Sequence, residues 1–259
     1  MGILNVTPDS FSDGGKYTTV DAAVRQAVLM AEQGADMIDI GGESTRPGAE
    51  RLSLAEELAR VVPMIEAVSK AVDLPISVDT YKAEVARRSL EAGAHILNDI
   101  WGLKGDSEMA AVAAEYRVPI VIMHNRPETR YDRFIPDVLE DLRESVRIAL
   151  DAGIAEEHII LDPGIGFAKN KEHNLELMGR LDEVCGLGYP VLLGTSRKTF
   201  IRTTLGLPAD DVVEGTAATV ALGIAQGCEI MRVHDVKQMR RTALMCDAIV
   251  RRQTFQEQG

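Results

Sequence analysis

Short apolar runs alternate with amphipathic stretches along the whole chain. The runs are Gly2–Val6, Met37–Ile40, Pro75–Val78, His95–Leu97, Val118–Met123, Ile159–Leu161, Pro190–Leu193 and Glu229–Val233. β-rich runs separated by helical stretches predict a parallel sheet with helices packed on it. The helices are readable as well. Leu54, Leu58, Val61, Ile65 and Val68 recur at helical spacing, which puts them on one apolar face. Ser53 and Glu56 precede that face as a capping box. Gly34, Gly93, Gly153 and Gly227 each follow a helical stretch and stand just before the next strand. Glycine takes the left-handed cap that ends a helix.

One strand–loop–helix unit used eight times suits a chain of 259 residues folded as a (β/α)8 TIM barrel. The expected organisation is a single domain, residues 1–259, starting at the first barrel strand. A doubly wound open sheet is the rival. The dinucleotide fingerprint it would often carry is missing, because Gly164-Ile165-Gly166 is followed by Phe-Ala-Lys and not by a third glycine.

Each apolar run stops at polar residues: Asn5, Asp39, Asp79, Asn98, His124, Asp162, the stretch Thr195-Ser196-Arg197-Lys198, and Arg232 with His234. A barrel gathers all of its C-terminal strand ends on one face, where the loops build the active site. Any one of these residues could be a turn or cap residue, as Asp235 is expected to be for the last helix. The coincidence at every strand end points to a shared site.

Two sets are distinguishable. Asp79, Asn98 and Asp162 are acid or amide groups, able to accept paired hydrogen bonds from a flat, nitrogen-rich heterocycle. A carboxylate pair for acid–base work and metal ligation by these acids remain alternatives. Arg46, Lys198, Arg232 and His234, with Thr45 and Asn5, are suited to an anion. Lys198 also precedes an expected helix N-terminus, which favours negative charge. The long Gly-containing loops Thr7–Thr19 and Gly41–Arg51 are candidate lids.

Bulk properties narrow the function classes. The net charge of −12 disfavours a general nucleic-acid binder. It also makes the gathering of basic residues at strand ends more pointed. No apolar run is long enough to cross a bilayer. The first residues lack the basic and apolar regions of a signal peptide, so Asn5-Val6-Thr7 is read as a chance match to the glycosylation pattern. Cys185, Cys228 and Cys246 form no C-x-x-C pair. Reduced thiols in a cytoplasmic protein are expected.

The chain resembles the dihydropteroate synthase family over essentially its whole length. The resemblance is carried by Met1-Gly2-Ile3-Leu4-Asn5-Val6-Thr7-Pro8-Asp9-Ser10-Phe11-Ser12-Asp13-Gly14-Gly15 and by Asp39-Ile40-Gly41-Gly42-Glu43-Ser44-Thr45-Arg46-Pro47-Gly48. It continues through Ser77-Val78-Asp79-Thr80, Asn98-Asp99-Ile100, Met123-His124 and Asp162-Pro163-Gly164-Ile165-Gly166-Phe167. Gly194-Thr195-Ser196-Arg197-Lys198 and Arg232-Val233-His234-Asp235 complete it. The implied reaction is condensation of a dihydropterin diphosphate with 4-aminobenzoate, releasing pyrophosphate, in folate biosynthesis.

By matching positions, the resemblance gives the pterin to Asp79, Asn98, Ile100, Met123, Asp162, Phe167, Gly194 and Lys198. It gives the pyrophosphate to Asn5, Thr45, Arg46, Arg232 and His234, with Mg2+ near Asn5. Arg46, Pro47, Phe167 and Thr199 would meet the aminobenzoate. The residues expected to act in catalysis are Asn5, Arg46, Lys198, Arg232 and His234. A homodimer is implied, and neither nucleic acid nor membrane is an expected partner. Members of this family usually carry residues ahead of Met-Gly-Ile-Leu-Asn, where this sequence starts; those would help finish the bottom of the barrel. A methyltetrahydrofolate-binding methyltransferase and a non-catalytic pterin-binding paralogue are the alternatives. The Ser-Arg-Lys and Arg-Val-His motifs favour the synthase.

Overall fold

The computed structural model describes residues 1–5, 16–43 and 52–252. Its strands are β1 (Gly2–Asn5), β2 (Ile38–Gly41), β3 (Ile76–Asp79), β4 (Ile96–Asp99), β5 (Ile120–Met123), β6 (Ile159–Asp162), β7 (Leu192–Leu193) and β8 (Ile230–Met231). The helices between and after them are α1 (Lys16–Glu32), α2 (Leu54–Ala71), α3 (Ala83–Glu91), α4 (Met109–Tyr116) and α5 (Phe134–Asp151). They continue as α6 (Lys171–Met178), α7 (Leu181–Cys185), α8 (Thr199–Leu205), α9 (Val213–Ala225) and α10 (Val236–Val250). No helix among the described residues is long and apolar enough to cross a membrane.

The pairing closes on itself. Strands β1 to β6 pair in sequence order, and β7 pairs with β8, in parallel throughout. Parallel bridges Leu161↔Val191 and Gly2↔Val233 join β6 to β7 and β8 to β1. At the second junction the Ile3 amide donates to the Val233 carbonyl at 2.9 Å, and the Val233 amide donates to Met1 at 3.0 Å. An open doubly wound sheet would leave two edges; these contacts join them. Strands β1, β5, β7 and β8 are shorter than their apolar runs. In the seventh run Pro190 has no N–H to donate, so only its carbonyl joins the ladder, accepting from Leu161 at 2.8 Å.

Side chains alternate across a strand with a period of two, and the burial follows that period. One parity packs outward against the helices, with Leu4, Ile38, Ile40, Val78, Leu97 and Ile122 in one large cluster. The other parity packs inward. Met1, Ile96, Val121 and Leu192 form a separate small cluster, with Met37, Ile160 and Ile230 against it. This is an apolar plug near the N-terminal end of the barrel.

Local signals give the expected caps. Ser53 Oγ accepts from the Glu56 amide at 3.3 Å, and Glu56 accepts from the Ser53 amide at 3.0 Å. Gly34, Gly93, Gly153 and Gly227 all take positive φ. Asp235 corrects one expectation. It occupies the cap position of α10 but makes no side-chain cap bond. Its carboxylate instead accepts from Arg197, at 3.1 Å from Nε and 2.6 Å from Nη2. An ion pair with a bidentate guanidinium outcompetes a single amide.

Candidate active site

The site begins two residues beyond the plug. Stepping along each strand in the inward parity leads from Met37 to Asp39 and Gly41, and from Ile96 to Asn98. It leads likewise from Val121 to Met123, Ile160 to Asp162, Leu192 to Gly194 and Ile230 to Arg232. Register aligns the tops: Asn5 with Gly41, Gly41 with Asp79, Asp79 with Asn98, and Met123 with Asp162. A polar floor therefore rests on an apolar plug. Asp79 and Asp162 are buried, at 7% and 6% exposure, and Asp39 just below them is fully buried.

Arg232 ties the floor together. Its Nε donates to Asp39 Oδ2 at 2.7 Å and its Nη2 to Asp79 Oδ2 at 2.8 Å. Asn98 Nδ2 donates to the same Asp39 oxygen at 3.2 Å. Asp39 Oδ1 and Asp79 Oδ1 are buried with no hydrogen-bond partner among the described residues. An unsatisfied buried acceptor is costly, so these oxygens are predisposed to a donor from outside. Burial raises the Asp79 carboxyl to about 7, against the pull of Arg232 and with a push from Asp39. Burial also raises Asp162, opposed by Lys198 and the Gly164 amide. For Arg232 burial opposes the charge, but Asp39 and Asp79 outweigh it and hold the guanidinium above its ordinary value.

The β6 loop supplies a second wall. Lys198 donates from Nζ to the Ile165 carbonyl, and the same Nζ lies 4.5 Å from the centre of the Phe167 ring, a cation–π contact. Burial lowers Lys198 to about 8, opposed by Asp162. Ile100 and Met123 are buried at the same strand ends. A Cβ on Gly194 would stand 3.9 Å from Asp162 Oδ2 and 4.0 Å from Arg232 Cβ. A larger side chain there would enter the space between them.

The anion set is less concentrated. Asn5 is half-buried at the top of β1. His234 lies across from Ser196, whose Oγ is 3.0 Å from His234 Nδ1 and accepts from the His234 amide at 3.1 Å. Thr199 is exposed at the start of α8. Thr45, Arg46 and Pro47, and residues 6–15 of the first loop, lie outside the described residues. What is described is the base of the second loop. Lys82 donates to Glu43 at 2.8 Å and to the Leu52 carbonyl at 2.9 Å. It pairs as well with the buried Glu57, which also accepts from Thr80 at 2.7 Å. One ammonium thus holds both stems.

Sequence reading gave two residues no role that the structure supplies. Asp39 was visible as a strand end, but its partnership with Arg232, 193 residues away, was not. His124 ends β5 but has the outward parity: its ring meets Asp141 and Lys169, not the floor. Parity was the available signal. It likewise separates Asn98 from Asp99, whose carboxylate accepts from the Trp101 and Leu103 amides at 2.8 and 2.7 Å.

The donor set constrains a metal. Among the described residues no three His, Cys, Asp or Glu side chains are grouped to cage one. Asn5 offers a single neutral oxygen at the mouth. Mg2+ is commonly held by few protein atoms and completed by phosphate oxygens and water, so the residues present fit that ion only alongside a phosphorylated substrate.

Comparison with known proteins agrees with this geometry. A family profile described as "Pterin binding enzyme" matches residues 1–234. The dihydropteroate synthase of Bacillus subtilis is 61% identical over 250 residues, covering 96% of this chain and 88% of the relative. The solved dihydropteroate synthase of Clostridium difficile, crystallised in the presence of pteroic acid, superposes with a TM-score of 0.95. It shares 48% identity and covers 97% of this chain and 96% of its own. That of Xanthomonas albilineans with 4-aminobenzoic acid has a TM-score of 0.92 and 43% identity, covering 96% of this chain and 92% of its own.

Proposed function

The chain belongs to the pterin-binding enzyme family, and from that premise we propose that it is a transferase with dihydropteroate synthase activity. It joins 6-hydroxymethyl-7,8-dihydropterin pyrophosphate to 4-aminobenzoate, giving 7,8-dihydropteroate and pyrophosphate. The observation that carries the reading is the polar floor. Asp79 and Asn98 stand side by side at the paired ends of β3 and β4, and Asp162 ends β6 in the same inward parity, all three buried.

Asp79, Asn98 and Asp162 take the N–H groups of the pterin ring, with the orphaned Asp79 oxygen as one acceptor. Ile100, Met123 and Phe167 flank the ring, Gly194 leaves it room, and Lys198 closes the side. Asn5, Thr45, Arg46, Arg232 and His234 receive the pyrophosphate. Arg46, Pro47, Phe167 and Thr199 receive the aminobenzoate. Arg232 is held by Asp39 and Asp79, so arriving phosphate oxygens compete with Asp79 for its charge.

The bond between the pterin methylene and the diphosphate oxygen breaks, and both electrons leave with the oxygen. The aniline nitrogen then forms the new C–N bond and loses a proton. Charge on the leaving group is met by Arg232, His234 and Arg46, acting by position and electrostatics. Mg2+ held at Asn5 would neutralise further leaving-group charge. No general base is assigned. The proposed setting is a homodimer in the cytoplasm.

The test mixes the purified protein with the dihydropterin pyrophosphate, 4-aminobenzoate and Mg2+ and assays dihydropteroate. Product is expected, and a sulfonamide should compete with the aminobenzoate. Folded protein that binds a pterin yet forms no product would instead be a pterin-binding paralogue without catalysis.

A further inference from the structure

Among the described residues, the turn after β6 holds three positive-φ residues within five positions. Gly164, Gly166 and Ala168 all lie in the left-handed region, with φ of +68°, +84° and +47°. Glycine enters that region without steric cost, so the conformation is unfavourable only at Ala168, which carries a Cβ. Gly164 also admits no side chain: a Cβ there would stand 1.9 Å from the His124 carbonyl oxygen.

Side chains hold this turn by its polar backbone groups. The Gly164 amide donates to Asp162 Oδ1, and the Gly166 amide to Asn174 Oδ1, each at 2.7 Å. The Ala168 carbonyl accepts from the Tyr131 hydroxyl at 2.9 Å. Lys169 takes two carbonyls at once, Gly164 at 2.9 Å and Phe167 at 3.0 Å. Its third contact is His124 Nδ1, at 2.8 Å.

The Asp141 carboxylate, paired also with Arg126, can only accept, so the ring proton sits on Nε2 and Nδ1 accepts from Lys169. Nε2 then donates to Asp141 Oδ2 at 3.0 Å, and that oxygen also takes Arg126 Nε at 2.5 Å. The turn is thereby fastened to the end of β5 and to α5. What it presents to the site is the Phe167 ring and the Ile165 carbonyl, both against Lys198.

We propose that Lys169 is a positioning residue for the pterin pocket: anchored on His124, it clamps the Gly164 and Phe167 carbonyls and so delivers Phe167 and Ile165 to Lys198. The roles of Phe167 and Lys198 toward a pterin rest on the functional reading above; the clamp does not.

The test compares Lys169→Met with the unaltered chain in two measurements. Hydrogen exchange of the Gly166 and Phe167 amides, read by mass spectrometry, should quicken at least about tenfold while the barrel strands stay protected. KM for the dihydropterin pyrophosphate should rise about tenfold or more with kcat changed less than about threefold. Unchanged exchange at those amides overturns the clamp. Faster exchange with an unchanged KM overturns the positioning role and leaves Lys169 purely structural. If the unaltered protein makes no dihydropteroate, calorimetry with pteroic acid replaces KM: weaker binding by the variant supports the proposal and equal binding overturns it. Should Lys169→Met fail to fold, Tyr131→Phe removes only the hydroxyl on Ala168. A rise in the same KM, or in the calorimetric Kd, of about two- to fivefold is then expected, and none overturns it.

Discussion

Asp162 uses its two oxygens differently. Oδ1 accepts the Gly164 amide and Oδ2 faces Gly194. Asp162→Ala would therefore loosen the turn as well as remove the recognition group. Asp162→Asn is the sharper test, because one oxygen can stay on Gly164 while the other position becomes a donor. Pterin affinity should fall about thirty- to a hundredfold, the worth of a hydrogen bond to a charged group; near-normal affinity by calorimetry would remove Asp162 from pterin recognition. Arg232→Ala should do more than slow turnover. It leaves the Asp39 and Asp79 carboxylates without their cation, a loss of about 3–5 kcal/mol in stability. Adding Asp39→Asn should restore much of the denaturation midpoint but not kcat. Recovery of both would mean that Arg232 serves the fold alone.

Asp79 also sets a pH dependence. Its carboxyl is raised to about 7 by burial, so it loses its acceptor form as pH falls through neutrality. Affinity for a pterin should weaken from pH 8 to pH 6 in the unaltered chain. Asp79→Asn should bind weakly at both pH values. A variant that kept the whole pH dependence would place the titrating group elsewhere.

At the scale of elements, β5, α5 and the β6 turn share the His124–Asp141–Lys169 contacts. His124 is buried and kept neutral, its pKa lowered to about 4 by burial and then by Lys169, against the pull of Asp141. A folded-state value below the unfolded one gives stability that is present above about 6.5 and lost as pH falls through about 4. The loss over that window is roughly 3 kcal/mol at most. Urea midpoints should drop between pH 6.5 and pH 4, and less so in His124→Gln. Equal acid sensitivity in the two proteins would show that His124 is not the group being charged. The helices themselves were legible because their signals are local. A capping box and a glycine at a helix end need no distant partner. Asp235 misled for the opposite reason: its choice of Arg197 over the helix amides depends on a side chain 38 residues away.

At the scale of the molecule, all eight strands could be read in the sequence, because each overlaps one of the apolar runs. Convergence of their ends on one face followed from parallel order alone. Which end residues turn inward needed the register, and adjacent pairs such as Met123-His124 cannot be split without it. Pairings across the barrel were not legible at all. Asp39 on β2 and Arg232 after β8 come together only once the ring has closed, and Lys169 reaches His124 only through the pairing of β5 with β6.

The apolar plug has a consequence for traffic. Met1, Ile96, Val121 and Leu192 fill the barrel beneath the floor, so this end of the barrel offers no passage. Whatever lies on Asp79, Asn98 and Asp162 came in through the mouth and must go out by it. The partner that sits nearer the rim then blocks the way. If the pterin lies on the floor as proposed, it is the first to arrive and the aminobenzoate the second. A blind vessel with one opening imposes a queue, and the order of that queue is built in by the same residues that give the barrel its core.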